Sequence, residues 1–415
     1  MLPQKDIRYK KRTVFFLMLA ASFFCSSPVF ADGGPGEDQK FKNDLSGYLK
    51  TLNFFTSTSG FSPELVDGPA GGVERGENLF MTTERVRLND KLRYELKPDQ
   101  VAIMKIDYDH QAYLGSFVPS GDFRIAKKQA EDRQFLDLSQ TFVENEDGFY
   151  EQRLYRASLF YGTPWLDAEV GRQQIPWGLG HFFTPTDLFN PFNPTQIELE
   201  ERDGVDAVNL MSKTYRGVKG QFVYTPGGRT LHPQRFLARV WRDVKGFQFG
   251  ILGGRVKRDH VVGFDSEGHL KGSTVRGEFL FREARLEKDF FKFTVNIDHN
   301  FKHNIYALLE YHYNGQGRRD PSDYQLDRLI RGEIQQLGKN YLALLIGHDV
   351  TPLLRVEQRT IFNMDDGSVF LRPEIRYDLK TNLLLTGAVQ LFAGGKRDEF
   401  GRGQNLYLAE LKYSF

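Results

Sequence analysis

Along residues 84–96 polar and apolar side chains alternate with a period of two. Arg85, Arg87, Asn89, Lys91, Arg93 and Glu95 fall on one side; Val86, Leu88, Leu92, Tyr94 and Leu96 fall on the other, and only Asp90 breaks the apolar row. That period marks a strand with one apolar face. It returns at residues 371–379, where Arg372, Glu374, Arg376 and Asp378 interleave with Leu371, Pro373, Ile375, Tyr377 and Leu379. A soluble sandwich also alternates, but strands of roughly ten or more residues, repeated along a chain, suit a tilted membrane-spanning barrel.

The spacing of the turns supports this reading. Short links fall at residues 97–100, 162–165, 213–216, 243–246, 301–304, 349–352 and 379–382. Long connections fall at 57–78, 113–148, 177–204, 317–336 and 395–403, all at the opposite end. The alternation lapses between 246 and 283 unless three strands lie there, which places an extra one near residues 261–267. The expected fold is all-β: a closed antiparallel transmembrane barrel over residues 45–415, of about 18 strands, with 16 as the nearest alternative. Its last strand, residues 405–415, sets Tyr407, Ala409, Leu411, Tyr413 and Phe415 on one face and Glu410, Lys412 and Ser414 on the other. Ending in Phe415, it resembles the assembly signal of outer-membrane barrels, so the barrel assembly machinery is an expected partner.

The N-terminus reads as a targeting segment. Lys10, Lys11 and Arg12 precede an apolar run from Thr13 to Phe24, and Val29-Phe30-Ala31 suits cleavage after Ala31. The run is too short for a membrane-anchoring helix. Residues 1–31 are therefore expected to be a signal peptide and 32–44 a periplasmic segment, with the outer membrane of a Gram-negative cell as destination. Cys25 is the only cysteine and lies in the removed segment, so no disulfide or thiolate chemistry is expected. Removal of Lys5, Arg8, Lys10, Lys11, Arg12 and Asp6 takes the formal charge from +1 to −3, which offers nothing to a nucleic acid. With 14% aromatics, 40 glycines and no linker or low-complexity run, the chain reads as one large domain. A mean hydropathy of −0.46 excludes a bundle of membrane helices but not a barrel, in which only alternate residues meet lipid.

Several stretches carry a resemblance. Val170-Gly171-Arg172-Gln173 with Trp177-Gly178, Asp203-Gly204-Val205-Asp206-Ala207-Val208, Arg276-Gly277-Glu278 and Glu310-Tyr311-His312-Tyr313-Asn314-Gly315 resemble porin-like barrels of the group that includes the alginate-export channels. The resemblance spans most of the mature chain. It implies a monomeric channel and leaves the solute open.

The candidate solute path is the inner wall: Arg85, Arg87, Arg93, Arg355, Arg359, Arg372 and Arg376 against Glu95, Glu310, Glu357, Glu374 and Asp378. Opposed charge rows select by charge, or else pair with neighbours and simply fill the wall. Strict alternation aims Arg172 at lipid, where a guanidinium at mid-depth costs about 2–4 kcal/mol. A bulge at Gly171 turns it into the lumen; otherwise it snorkels at the headgroup rim. The loop after Ile175 carries Trp177, Phe182, Phe183, Asp187, Phe189 and Phe192 among Pro185, Pro191 and Pro194, and ends in Glu198, Glu200, Glu201 and Arg202. So apolar a loop either folds inward as a constriction, its acidic end meeting basic wall residues, or caps the barrel mouth. Residues 321–334 read as a short helix over the mouth, capped by Ser322 or Asp323, with Leu326, Leu329, Ile330 and Ile334 as its stripe; a gating plug is the other reading.

The function implied is a pore for polar solutes, anionic or carbohydrate among them, without catalytic residue, metal or cofactor, and with lipid and lipopolysaccharide around it. The alternatives are an outer-membrane enzyme acting on lipid or glycan, and a structural or adhesive barrel with a closed lumen. No Gly-x-Ser-x-Gly elbow or His-Glu-x-x-His site is present. His299 and His303 flank a turn, where a spacing of four does not bring both rings to one face. Arg85, Arg87 and Arg93 together with Arg372 and Arg376 outnumber their carboxylates in one sector of a closed wall, so weak anion preference is expected.

Overall fold

The protein is described from a computed structural model that covers residues 40–57, 78–146, 148–190, 193–198, 202–228 and 231–415. The signal peptide and most of the segment 32–44 lie outside the described residues. Nineteen strands run in order: β1 (Phe41–Ser57), β2 (Asn78–Lys97), β3 (Gln100–Leu114), β4 (Ser139–Glu144), β5 (Gly148–Gly162), β6 (Leu166–Gln173), β7 (Val205–Ser212), β8 (Val218–Thr225), β9 (Arg235–Val244) and β10 (Phe247–Val256), then β11 (Asp259–Leu270), β12 (Ser273–Glu283), β13 (Phe290–Phe301), β14 (Ile305–Asn314), β15 (Asn340–Thr351), β16 (Leu354–Asn363), β17 (Val369–Lys380), β18 (Leu383–Ala393) and β19 (Leu406–Ser414). Each neighbouring pair is antiparallel, and β1 pairs with both β2 and β19. The wall therefore closes as an 18-stranded barrel, with β4 as the extra strand. Closure removes the free edges a sheet would otherwise present. The strand expected near residues 261–267 is β11.

The alternation becomes an inside and an outside. On β15, Tyr341, Ala343 and Leu345 are buried while Leu342 and Ile346 are exposed. On β9, Leu237 is buried and Phe236 and Val240 are exposed. Val170, Ile251, Val262, Ile375 and Leu411 continue the exposed apolar girdle. Such a surface is costly in water and ordinary in lipid.

The lapse between 246 and 283 has a packing cause. There Leu252, Val256, Val261 and Leu280 also point inward and are buried against one another, so the inward faces of β10–β12 mix apolar side chains with Asp265 and Glu278. One-sided polarity cannot mark such strands.

The long connection after β3 is more ordered than a loop. It holds helix α1 (Gly121–Asp132), whose first turn is capped by the Ser120 hydroxyl accepting from the Phe123 amide at 3.2 Å. It then lays β4 against residues 149–153 of β5. β6 pairs with β5 only over residues 157–162, so β5 has β4 beside its upper part and β6 beside its lower part. The helix expected at 321–334 is shorter: a single 3-10 turn at Pro321–Asp323, capped by Asp320 rather than Ser322 or Asp323, and α2 (Leu326–Ile330). The backbone leaves helical geometry at Tyr324 (ψ 131) and turns at Gly332 (φ 72), which bounds α2 on both sides. Leu326, Leu329 and Ile334 still form its apolar side, with Tyr324 and Leu337.

Candidate functional site: a loop held across the barrel interior

The chain between β6 and β7 does not stay at the mouth. Ile175, Trp177 and Phe189 pack on the inward faces of β7 to β12, against Val205, Val223, Leu237, Leu252 and Leu280. The Trp177 indole N–H donates to Gln221 on β8 at 3.0 Å, and its ring meets Phe189 edge-on at 4.9 Å. Phe182 and Phe183 pack with Leu308, Tyr341, Ile361 and Phe370, and Phe183 stacks on His312 at 4.5 Å. Of the two dispositions open from the sequence, the structure has the inward one. Phe192, Glu200 and Glu201 lie outside the described residues.

Two wall carboxylates fix the loop. Glu310 on β14 accepts backbone N–H groups from His181 at 2.8 Å, Phe182 at 3.1 Å and Phe183 at 2.8 Å, and the Asn296 amide at 3.1 Å. Glu278 on β12 accepts from the amides of Leu179, Gly180 and Thr186, and from the Thr186 hydroxyl at 2.6 Å. Successive N–H groups turned toward one point form an anion nest, which the wall itself fills. Gly180 makes the turn feasible: a Cβ there would lie 1.8 Å from the Phe183 carbonyl oxygen. Asp187, fully enclosed, accepts from the amides of Phe189 and Asn190 and faces Arg202 at 3.5 Å. It braces the loop internally and does not line an open passage.

The far limb of the loop reaches the opposite wall. Glu198 takes two hydrogen bonds from Arg85, at 2.9 and 2.8 Å, and a third from Lys50. Arg372 donates to the carbonyls of Gln196 and Ile197, at 3.1 and 3.0 Å, and Gln390 donates to those of Thr195 and Gln196. The loop is thus tied to β1, β2, β8, β12, β14, β17 and β18.

The candidate path residues divide in two. Arg85, Arg87 and Arg372 are buried. Arg87 pairs with the enclosed Asp109, and its guanidinium lies 3.8 Å from the centre of the Tyr155 ring. Arg93 pairs with Glu95 at 3.0 Å near the short-turn end, both well exposed. On β16 and β17 the register sets Arg355 opposite Arg376, Glu357 opposite Glu374 and Arg359 opposite Arg372. Like charges directly across a ladder repel. Each glutamate relieves this by binding two arginines of its own strand: Glu357 holds Arg359 at 2.7 Å and Arg355 at 3.4 Å, and Glu374 holds Arg376 at 2.7 Å and Arg372 at 3.0 Å. The glutamates are nearly enclosed (7% and 2% exposed), whereas Arg355 and Arg376 keep 33% and 28% of their surface. The row presents guanidinium to the lumen and encloses its two glutamates, while Arg355 also meets the exposed Asp349 at 2.9 Å.

Arg172 corrects an expectation. The β5–β6 ladder passes Gly171 without a register shift, so the anticipated bulge is absent. Gly171, at φ +119, is instead a close approach, where a Cβ would stand 2.3 Å from the Ala157 carbonyl oxygen. Arg172 is 1% exposed and binds Asp206 at 3.1 and 3.0 Å and the carbonyls of Leu154 and Leu136. Asp206 in turn accepts the amides of Phe135 and Leu136, both at 2.9 Å. Neither lumen nor headgroup rim describes this place; the pair clips the segment leading into β4 onto β5 and β7.

Glu278 and Lys50 hold the loop without any sequence pattern that marks them as site residues. Glu278 lies about a hundred positions from the amides it holds, and only the barrel register brings them together. Its neighbours Arg276 and Gly277, like Glu310 and His312, stand in the stretches that carry the porin-like resemblance.

No family model and no curated protein matches the chain. Among solved structures, OccAB4 of Acinetobacter baumannii aligns over 92% of this chain and 100% of its own, with 10% identity and a TM-score of 0.54. An engineered variant of the Rh. blastica porin aligns over 90% and 100%, with 10% identity and a TM-score of 0.45. The likeness to OccAB4 is one of fold: a closed antiparallel barrel.

Proposed function

We propose that the chain is an outer-membrane pore through which small polar solutes diffuse, with a preference for anions. The observation that carries this is the inward loop: a mid-chain segment drawn across a barrel with an apolar outside narrows the interior and leaves an arginine row facing what remains. Charged side chains lining a narrow water-filled lumen act over a Debye length of about 8 Å at physiological salt. The short turns would face the periplasm and the long connections the cell exterior. Carbohydrate polyanions of the uronate type, to which the alginate-export resemblance points, are the largest solutes the reading includes. The test is conductance of the purified protein in planar bilayers, with neutral sugars, uronate oligomers and small carboxylates as blockers. Anion preference in a salt gradient and block by the carboxylates are expected. A folded barrel that carries no current overturns the pore in favour of the structural or adhesive alternative, and cation preference removes the anionic part.

A further inference from the structure

Lys292 is a cation without a counter-charge. It lies at the start of β13, on the face it shares with Thr294 and Asn296, both buried inside the wall. Its side chain stays partly open, and among the described residues it makes no ion pair or hydrogen bond; its ammonium only overlooks the Phe290 ring, 5.7 Å from the centre. The charged groups that act on it are Arg282 of β12 and Arg328 of α2, both of its own sign. The register explains the meeting. Leu280 stands opposite Lys292 and Arg282 opposite Phe290, and the Arg282 guanidinium lies 6.0 Å from the centre of the same ring. Arg235, at the start of β9, adds a further cation beside Arg282. Carboxylates are present but engaged. Asp259 takes Arg282 through Nε at 2.9 Å and Nη2 at 2.6 Å, which leaves Arg282 Nη1 without a partner among the described residues. Glu287 and Glu333 hold Arg328 at 3.0 and 3.3 Å, and Asp187, which acts on Arg235, is enclosed within the loop. Lys292 has none of them.

We infer that Lys292 and the free edge of Arg282, over the face of Phe290, form a binding site for an oxyanion, a carboxylate or phosphate group, at the end of the barrel that bears the long connections. Like charges gathered in a confined space repel, and an ammonium drawn from water without a partner is costly. A position that only needed filling, beside the buried Leu280, would be served by an apolar side chain of the same length. An oxyanion with two oxygens spans the two donors, one oxygen toward the Lys292 ammonium and one toward Arg282 Nη1, and relieves the repulsion between them. The site deepens the anion preference proposed above and rests on that reading: it holds an anionic solute at the mouth, ahead of the arginine row on β16 and β17.

The test is equilibrium dialysis of the full-length protein, folded in lipid nanodiscs, against labelled succinate and inorganic phosphate at constant ionic strength. Saturable binding is expected for at least one of the two, and the tighter ligand names the group. Lys292→Met and Arg282→Gln should each weaken it about tenfold or more, the loss of one charged hydrogen bond. Lys292→Arg should keep it, and Arg258→Gln, on the exposed tip between β10 and β11, should leave it unchanged. Binding that never saturates, or that falls alike in Arg258→Gln and Lys292→Met, overturns the site, because a general field around the mouth then explains it. If Lys292→Met does not fold, Lys292→Gln, which keeps a polar head, takes its place. No current enters the measurement. Saturable binding by a barrel that does not conduct keeps the site and removes the pore, whereas a conducting barrel without saturable binding removes the site alone.

Discussion

Glu310 shows how much one carboxylate holds. Replacing it with alanine strands three backbone N–H groups in a closed interior, each a cost of about 1–3 kcal/mol. Glu310→Ala is expected to lower stability by roughly 3 kcal/mol or more, within the range of broken buried networks, and to add fast current noise as the segment 179–183 loosens. Denaturation midpoints and single-channel records check both, and a quiet, equally stable channel would show that Glu278 suffices. The arginines divide by exposure. Arg355→Gln, Arg359→Gln and Arg376→Gln together should shift the reversal potential toward zero, because these heads face the lumen. Arg85→Glu, Arg87→Glu and Arg372→Glu should instead cost stability with little gain in information on selectivity, since their charge is met by Glu198, Asp109 and Glu374. The sequence sets these six alike on the polar side of strands, because alternation reports which way a side chain points and nothing about what closes over it.

At the scale of elements, the legible strands are those with one wet and one greasy face, such as β2 and β17. β10 to β12 are obscure by periodicity because the inward loop offers them an apolar partner, and only the parity of turns and long connections places β11. β4 and α1 escape notice for a different reason: each is a short element stabilised by the wall beneath it, α1 through Phe123 against Tyr113 and Phe149. The mouth loops supply a pH prediction. Glu399 accepts from the Leu337 amide, the Tyr341 hydroxyl and the Asn363 amide, and burial pushes its carboxyl from 4.5 up to about 7. A carboxyl raised on folding favours the folded state below its ordinary value, and that contribution is lost as the pH climbs from about 4.5 to about 7. Amides around 337–341 are therefore expected to exchange more slowly, relative to the intrinsic rate, at pH 5 than at pH 8, by about tenfold or more. Glu399→Gln should flatten the difference, and an unchanged profile in that variant would assign the effect elsewhere.

For the whole molecule, a closed wall with every strand paired should resist SDS until heated, and migrate as a compact band on unheated gels. Migration as an unfolded chain without heating would contradict closure. Deleting residues 182–192 is expected to raise conductance and to lower the heating threshold, because Leu308, Ile361 and Phe370 lose their apolar cover. Unchanged conductance with an intact barrel would mean that the narrow point lies elsewhere along the axis.

The loop's attachments also bear on the order in which the molecule is made. It lies between β6 and β7, yet it grips Arg85 from 113 positions upstream and Glu278, Glu310, Arg372 and Gln390 from roughly 90 to 195 positions downstream. Once β1 has joined β19, a segment of this bulk has no side entrance. Either it enters afterwards through the mouth, or the wall is wound around it, each later strand meeting a piece of chain already waiting in the middle, as staves are set around a former. Such long loops are slow to close. A chain lacking residues 182–192 should thus differ in kinetics as well as in conductance: it can close early on an empty interior, and refolding into lipid vesicles should then lose the slow phase that docking of the loop imposes on the parent.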